Sequence, residues 1–343
     1  MDRTEAEPLR IVTFNAGLAI GVVPYAVERV PHVTAAVAAV EADLVFMQEV
    51  WLETHWAELR AATAARLPHA FRAAPSAPPE PGACSPDEVA PLVACAQAHC
   101  RGKAGEELVR CVMHRCSSAA AHLSPACLRC LASHPVGTLE EILAPCAGSN
   151  AQAAPASARS GRGYAPEGLI AFGGSFGTGY LSSLPLIETD VLVFESTVTA
   201  RAALYALLDP PGMGPLHVFG VHLSIGHGAE QRAQIEHLLA WVDQKAPPPA
   251  QAIIVGDLNT GPSVASSLYA RFETAGFSNP YARPGAPGTY GSWLIDHVLL
   301  RGVRGRARGE VVLDEEVTVA VGGRKVHTSL SDHAGLRVQI DPG

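Results

Sequence analysis

Lysine is nearly missing from this chain: of its 25 basic residues only 3 are Lys, and charged residues make up just 17% of the sequence. The net charge of −8 argues against a large electrostatic grip on nucleic acid, although the 22 Arg can still cluster into a local basic groove. The excess of Arg over Lys carries no functional weight. No run approaches the roughly 18 apolar residues that a membrane span requires. Residues 33–40 are apolar but short, and they run into Glu41 and Asp43. Residues 1–8 are charged and have no apolar core, so no secretory leader is expected within them. Cysteine is missing from most of the chain as well, since all eight lie between Cys84 and Cys146. What is present is enough for a large core: 343 residues, 48% of them hydrophobic, with 59 Gly and Pro marking many loops.

Alternating β-formers predict a strand over 9–15, and a buried strand is expected at 44–48. Helices are expected at 25–41 and 53–66. Successive prolines in residues 75–85 (PSAPPEPGACS) break regular structure. Residues 84–146 are rich in Ala, Leu and Cys and helical in character, and 147–163 read as a low-complexity linker. Strands are expected again at 168–172, 178–184, 191–194, 201–208, 216–222, 252–255, 293–300 and 336–340, with helices at 229–244 and 264–275. Many strands with few helices and no regular βαβ alternation favour two packed sheets flanked by helices. The domain organisation expected is a first catalytic part at 1–74, an insert with linker at 75–163, and a second catalytic part at 164–343.

Five motifs sit at the predicted strand ends: TFN at 13–15, QEV at 48–50, GVHLS around His222, VGDLNT at 255–260, and LIDH with SDH toward the C-terminus. They supply four carboxylates (Glu49, Asp257, Asp296, Asp332), two amides (Asn15, Asn259) and two imidazoles (His222, His333). A phosphodiester resists water until its charge is neutralised, a nucleophile is generated and the leaving oxygen is stabilised. A hard divalent cation with oxygen ligands suits the first task. Glu49 at a strand end is the natural ligand, and Asn15 can add an amide oxygen. Asp257 and Asn259, two apart in extended chain, point the same way and can orient water and phosphate. A carboxylate such as Asp296 can fix the tautomer of His333 and raise its basicity, with Asp332 nearer the metal. Each motif has a bland reading too. A Glu after an apolar strand is often a solvated strand end, GDLN can be an Asx-turn opening a helix, and a lone His222 is more often structural. His217, His227 and His297 read as bystanders.

The order TFN, QEVW, FGTGYLSSLPL, VHLS, GDLNT, LIDH, SDH resembles the endonuclease/exonuclease/phosphatase superfamily, the DNase I-like fold, over about residues 9–74 and 164–340. The resemblance implies a four-layer α/β/β/α sandwich and a Mg²⁺- or Mn²⁺-dependent phosphoesterase. Carried over by motif, it implies that Asn15, Glu49 and Asp332 hold metal and phosphate and that His222 faces the phosphate. Asp257 and Asn259 would orient water and phosphate, and Asp296 would support His333. Thr178 stands where the family's motif has Asn, so a phosphate contact there is not expected. The family spans DNA, RNA, phosphoinositides, sphingomyelin and small phosphodiesters, so fold does not decide substrate. VHLSIGHGAEQRAQIEHLL, QEVW, the acidic balance and the lack of a basic stripe with interleaved aromatics favour a small or lipid phosphodiester, sphingomyelinase-like, over DNA or RNA. A non-catalytic binding protein on the same fold is the third reading. The chain is expected to act as a monomer.

Seven of the cysteines fall at 84, 95, 100, 111, 116, 127 and 130, with Cys146 following. Cys84 with Cys127, Cys95 with Cys116 and Cys100 with Cys111 are mirrored about the turn at 102–105. An antiparallel helical hairpin would bring each mirrored pair together, so these three disulfides and Cys130–Cys146 are expected. Disulfides imply an oxidising, extracytoplasmic compartment. The rival is zinc bound by Cys127, Cys130 and His134. The insert either staples a loop or forms a rim beside the site that selects substrate or partner, with a lipid surface as the candidate.

Overall fold

The computed structural model describes residues 7–75, 82–147, 175–226 and 228–342. Its first sheet runs β10 (Arg306–Val312), β13 (Gly335–Asp341), β1 (Leu9–Asn15), β2 (Leu44–Gln48), β4 (Gly179–Ser182) and β3 (His69–Phe71). The second runs β5 (Glu188–Phe194), β6 (Arg201–Leu208), β7 (Leu216–His222), β8 (Gln251–Asp257) and β9 (Asp296–Arg301). Within each sheet one neighbouring pair is parallel, β1 with β2 and β7 with β8. Those two pairs carry most of the motifs.

The sheets pack face to face, which is why the central strands are apolar on both sides. Along β1, Leu9 and Ile11 enter a cluster shared with Leu204, Val218 and Val255 of the opposing sheet. Val12 and Phe14 point the other way, onto α1 (Ala26–Ala39) and α2 (Glu53–Thr63) through Val30, Val33, Val37 and Leu59. On the far side α8 (Ala229–Lys245) and α9 (Ser266–Thr274) cover the second sheet through Ile235, Leu238 and Phe272. Each such side chain contributes roughly 1.5–3 kcal/mol on burial. The result is the expected α/β/β/α sandwich. Near the site the sheets approach closely because Gly220 of β7 and Gly256 of β8 have no side chain where the Phe46 ring lies.

Four strands were not anticipated: the three-residue β3, and β10 with the hairpin that follows it. β10 and the hairpin β11 (Glu316–Val321) with β12 (Arg324–Ser329) alternate exposed and half-buried residues and carry many charges. Val321 pairs with Arg324, so Gly322 and Gly323 form a two-residue turn with positive φ at both positions. The expected strand at 168–172, and the linker at 147–163 but for Ala147, lie outside the described residues.

Five helices occupy the cysteine-rich region: α3 (Pro86–His99), α4 (Gly105–Arg115), α5 (Ser117–Ala120), α6 (Pro125–Ala132) and α7 (Leu139–Leu143). Ser85 opens α3 with a reciprocal capping box to Glu88, and Pro86 takes the first turn, where its missing N–H costs nothing. All four disulfides pair as expected: Cys84–Cys127, Cys95–Cys116, Cys100–Cys111 and Cys130–Cys146. Two of them stitch the α3–α4 hairpin. The third mirrored pair reaches past it, from the start of α3 to α6. With no free cysteine among the described residues, no thiolate remains for zinc, and the zinc reading is overturned. The helices seat against the sandwich at Gly21, where an added Cβ would lie 3.0 Å from the Pro135 carbonyl oxygen.

His55 on α2 is buried, and burial pushes its pKa down to about 4. The folded form therefore stays neutral while the unfolded chain takes up a proton below about pH 6.5, so stability is lost as pH falls from there toward 4. His55→Leu is expected to recover about 1–2 kcal/mol of the stability lost between pH 7 and pH 5, read by denaturant unfolding at both values. An unchanged pH dependence would show that His55 is not the group responsible.

Candidate active site

Three neighbouring strands set the site by register alone. His222 on β7 pairs with Asp257 on β8, and Asp257 pairs with Asp296 on β9. Directly paired residues share a face, so the three side chains line up in a row. The other sheet brings Asn15, the last residue of β1, level with Gln48 on β2, and Glu49 follows. Glu49 takes φ 56° and Asn259 φ 48°, left-handed conformations uncommon for side-chain-bearing residues and frequent at functional sites.

These pieces converge. Asn15 Nδ2 donates to Asp257 Oδ2 at 3.1 Å, joining the sheets. Asp257 Oδ1 accepts from the Asn259 backbone N–H at 2.9 Å, while Asn259 Nδ2 donates to the Leu223 carbonyl at 2.9 Å. His333 Nδ1 lies 2.8 Å from Asp296 Oδ2, and its Nε2 lies 4.0 Å from Asp257 Oδ2. His222 Nε2 is 3.4 Å from the same Asp257 oxygen. Asp332 is exposed, and its Oδ1 lies 3.2 Å from Ser331 Oγ. All eight residues singled out from the sequence thus fall at one end of the sandwich. His297 is a bystander in geometry, its ring nitrogens facing the Thr260 carbonyl and Asn279. His217 bonds Tyr205, and His227 lies outside the described residues. Thr178 is buried and does not line the cavity over the site.

Burial drives the electrostatics. It pushes Asp257 up to about 7, with the Asp296 charge acting in the same direction. Glu49 is also raised, by burial first and then by the Asp332 carboxylate, with His333 and Arg201 opposing. Burial alone would lower His333, yet Asp296, Asp257 and Asp332 outweigh it and push it up to about 10. His222 goes the other way, held well below the ordinary value by burial and by the Arg201 charge. Glu49 and Asp332 are carboxylates close enough to repel, beside the Asn15 amide, whose Oδ1 accepts from the Gly17 N–H at 3.1 Å. A divalent cation of the Mg²⁺ class would relieve that repulsion, so the residues fit one. Asp257, Asp296 and His333 also gather ligand-type atoms within 4.8 Å of one another. There the imidazole is already engaged by Asp296, which makes an acid–imidazole pair.

Several contributors escaped the sequence. Arg201, at the start of β6, is buried, and its Nη1 lies 2.7 Å from His222 Nδ1. A guanidinium can only donate, so Nδ1 carries the lone pair and neutral His222 holds its proton on Nε2, facing Asp257. Ser331 Oγ donates to the Asn15 carbonyl at 2.7 Å and accepts from His333 N at 3.2 Å, fastening the SDH loop to the end of β1. The Tyr290 ring lies 4.8 Å from that of His333. Arg29, fully buried, donates to the carbonyls of Gly17, Pro24 and Leu330 behind Glu49 and Asp332. A charged residue opening the otherwise apolar stretch RAALYALL was the one readable sign of Arg201.

A four-layer sandwich with acids, amides and imidazoles gathered at one end defines the DNase I-like class. The chain belongs to the Endonuclease/Exonuclease/phosphatase family, whose model matches residues 12–333. Members of that family are generally hydrolases acting on phosphoesters. The fold resembles Sphingomyelinase C from Streptomyces griseocarneus, at 17% identity and a TM-score of 0.57 over 98% of this chain and 100% of that one. It also resembles a Staphylococcus aureus beta toxin mutant with bound magnesium ions, at 14% identity and 0.58 over 97% and 99%. Truncated Caenorhabditis elegans TDP2 aligns at 12% identity and 0.54 over 97% of each chain. No curated protein matches the chain in sequence.

Arg201→Gln is expected to release His222 from the Nε2–H tautomer and to raise its pKa, read by ¹⁵N imidazole NMR. A tautomer population identical to wild type would mean that Arg201 does not set it.

Proposed function

We propose that the protein is a divalent-metal-dependent phosphodiesterase acting on a small or lipid phosphodiester. Glu49, Asp332 and Asn15 would hold Mg²⁺ or Mn²⁺, which when bound neutralises phosphate charge. His222, fixed as an Nε2–H donor by Arg201, faces the phosphate. Asp257 and Asn259 orient water and phosphate. Asp296 holds the His333 ring, and the Asp257–His333 pair handles the proton of the attacking water. The observation that carries this reading is the convergence on one Asp257 oxygen of Asn15, His222 and the Asp296-bound His333.

The substrate class rests on the cavity over these groups. Among the described residues lining it, Arg201 is the one arginine and no lysine appears, which leaves little for a nucleic-acid backbone. The likeness to Sphingomyelinase C and to the magnesium-bound beta toxin accords with a phosphodiester headgroup and with the metal. A DNase or RNase is the second reading, kept open by the family itself. The four disulfides support an extracytoplasmic setting.

Turnover of bis-(p-nitrophenyl) phosphate should require Mg²⁺ or Mn²⁺, vanish with chelator, and fall by about 10²–10³-fold or more in Glu49→Ala and His333→Ala. Metal-independent turnover, or variants as active as wild type, would sink the enzyme reading and leave a binding protein on this fold. A panel of plasmid DNA, RNA, sphingomyelin, phosphoinositides and cyclic dinucleotides then separates the substrate classes.

A further inference from the structure

The cavity over the site does not stop at the polar groups. It encloses about 490 Å³, and its far walls come from the disulfide-linked helices. Leu92 of α3, Leu108 and Val112 of α4, Leu131 of α6 and Ile142 of α7 face it. Leu92, Leu108 and Ile142 are buried in the apolar cluster of those helices, so the cavity is walled by what would ordinarily be a packed core. Among the described residues, those helices contribute no charged side chain to its lining. The mouth is equally distinctive. Of eight strongly exposed large hydrophobic residues among the described residues, six line this cavity: Val22, Met113, Val198, Ile225, Tyr290 and Trp293. Exposed apolar side chains scattered singly need no explanation, whereas a gathering of this kind marks a binding site.

A cavity that is acid- and imidazole-lined at one end and aliphatic at the other is complementary to an amphiphile. We propose that the disulfide-linked helices form a pocket for a single alkyl or acyl chain, and that the preferred substrate is a phosphodiester bearing one such chain. The phosphate sits among Glu49, His222, Asp257 and His333, and the chain runs along Leu108, Val112 and Leu131. The volume lies within the roughly 300–1,000 Å³ that one small ligand fills, which suits one chain with its headgroup. This inference rests on the hydrolase reading for the headgroup end only. The chain end stands on the cavity itself.

The test uses p-nitrophenyl phosphodiesters whose second ester is ethyl, octyl or dodecyl, kept below micelle-forming concentration with Mg²⁺. In parallel, a dansylated twelve-carbon alkyl phosphate is titrated into the protein without metal. A fully buried methylene favours binding by up to about fourfold. We therefore expect kcat/KM to rise at least about tenfold from ethyl to octyl and the probe to bind saturably, one per chain. Val112→Asp and Leu131→Asp should bring the octyl-to-ethyl ratio to near one and weaken the probe. Val112→Trp, which fills the pocket without burying charge, should do the same, and Ile187→Asp, exposed and off the cavity, should keep the ratio. Turnover independent of chain length, with no probe binding, overturns the pocket and leaves the hydrolase reading intact. Probe binding with no ester hydrolysed supports the pocket and overturns the hydrolase reading instead. Binding seen only with phosphatidylcholine vesicles overturns the single-chain pocket in favour of a membrane-surface contact.

Discussion

A hydrogen bond from Asn15 Nδ2 on β1 to Asp257 Oδ2 on β8 crosses between the two sheets at the level where both strands stop. Together with the Asn259 N–H it stabilises a buried carboxylate that faces Asp296, an arrangement costly in a low-dielectric interior without such donors. Its position also dictates how far apart the sheets can stand. They must close at that end, which is why Gly220 and Gly256 make room for Phe46 one layer below the polar groups. Burial raises the Asp257 pKa, while the charges of Asp296, Asp257 and Asp332 raise that of His333 against the effect of its own burial. Geometry and electrostatics at the site therefore share one origin, the meeting of two sheets over a charged group.

Much of this was legible in the sequence, and the reasons are local. β1, β2, β7 and β8 are buried on both faces and read as apolar runs, and each ends in a polar motif that the chain can place only at a strand terminus. The cysteine pairing was legible because a mirrored spacing maps onto antiparallel helices, even though one mirrored pair turned out to join α3 to α6. The missed strands lacked the signal that betrays a core. In RARGEVV and RKVHTS the alternate residues are charged or half-exposed, and only the Gly322–Gly323 turn pointed to a hairpin. Arg201 and Ser331 were invisible for a different reason. Their partners, His222 at 21 residues and Asn15 at 316, are set by strand register and loop closure, which no local pattern encodes.

The cavity belongs to the same non-local category. Leucines at helical spacing in an Ala- and Cys-rich segment read as the core of a small bundle, and several of them are buried in such a core. That the same leucines also face an open space leading to Glu49 and His333 depends on how the bundle seats on the sandwich at Gly21 and Pro135.

Four covalent cross-links hold those helices in place independently of how tightly their interiors are filled. A bundle that depended on packing alone would collapse or unfold when its lining residues changed size. Here the cross-links offset part of that loss by constraining the unfolded chain. The disulfides thereby partly separate the tuning of ligand preference from the survival of the fold, and make the lining the part of the molecule freest to diverge.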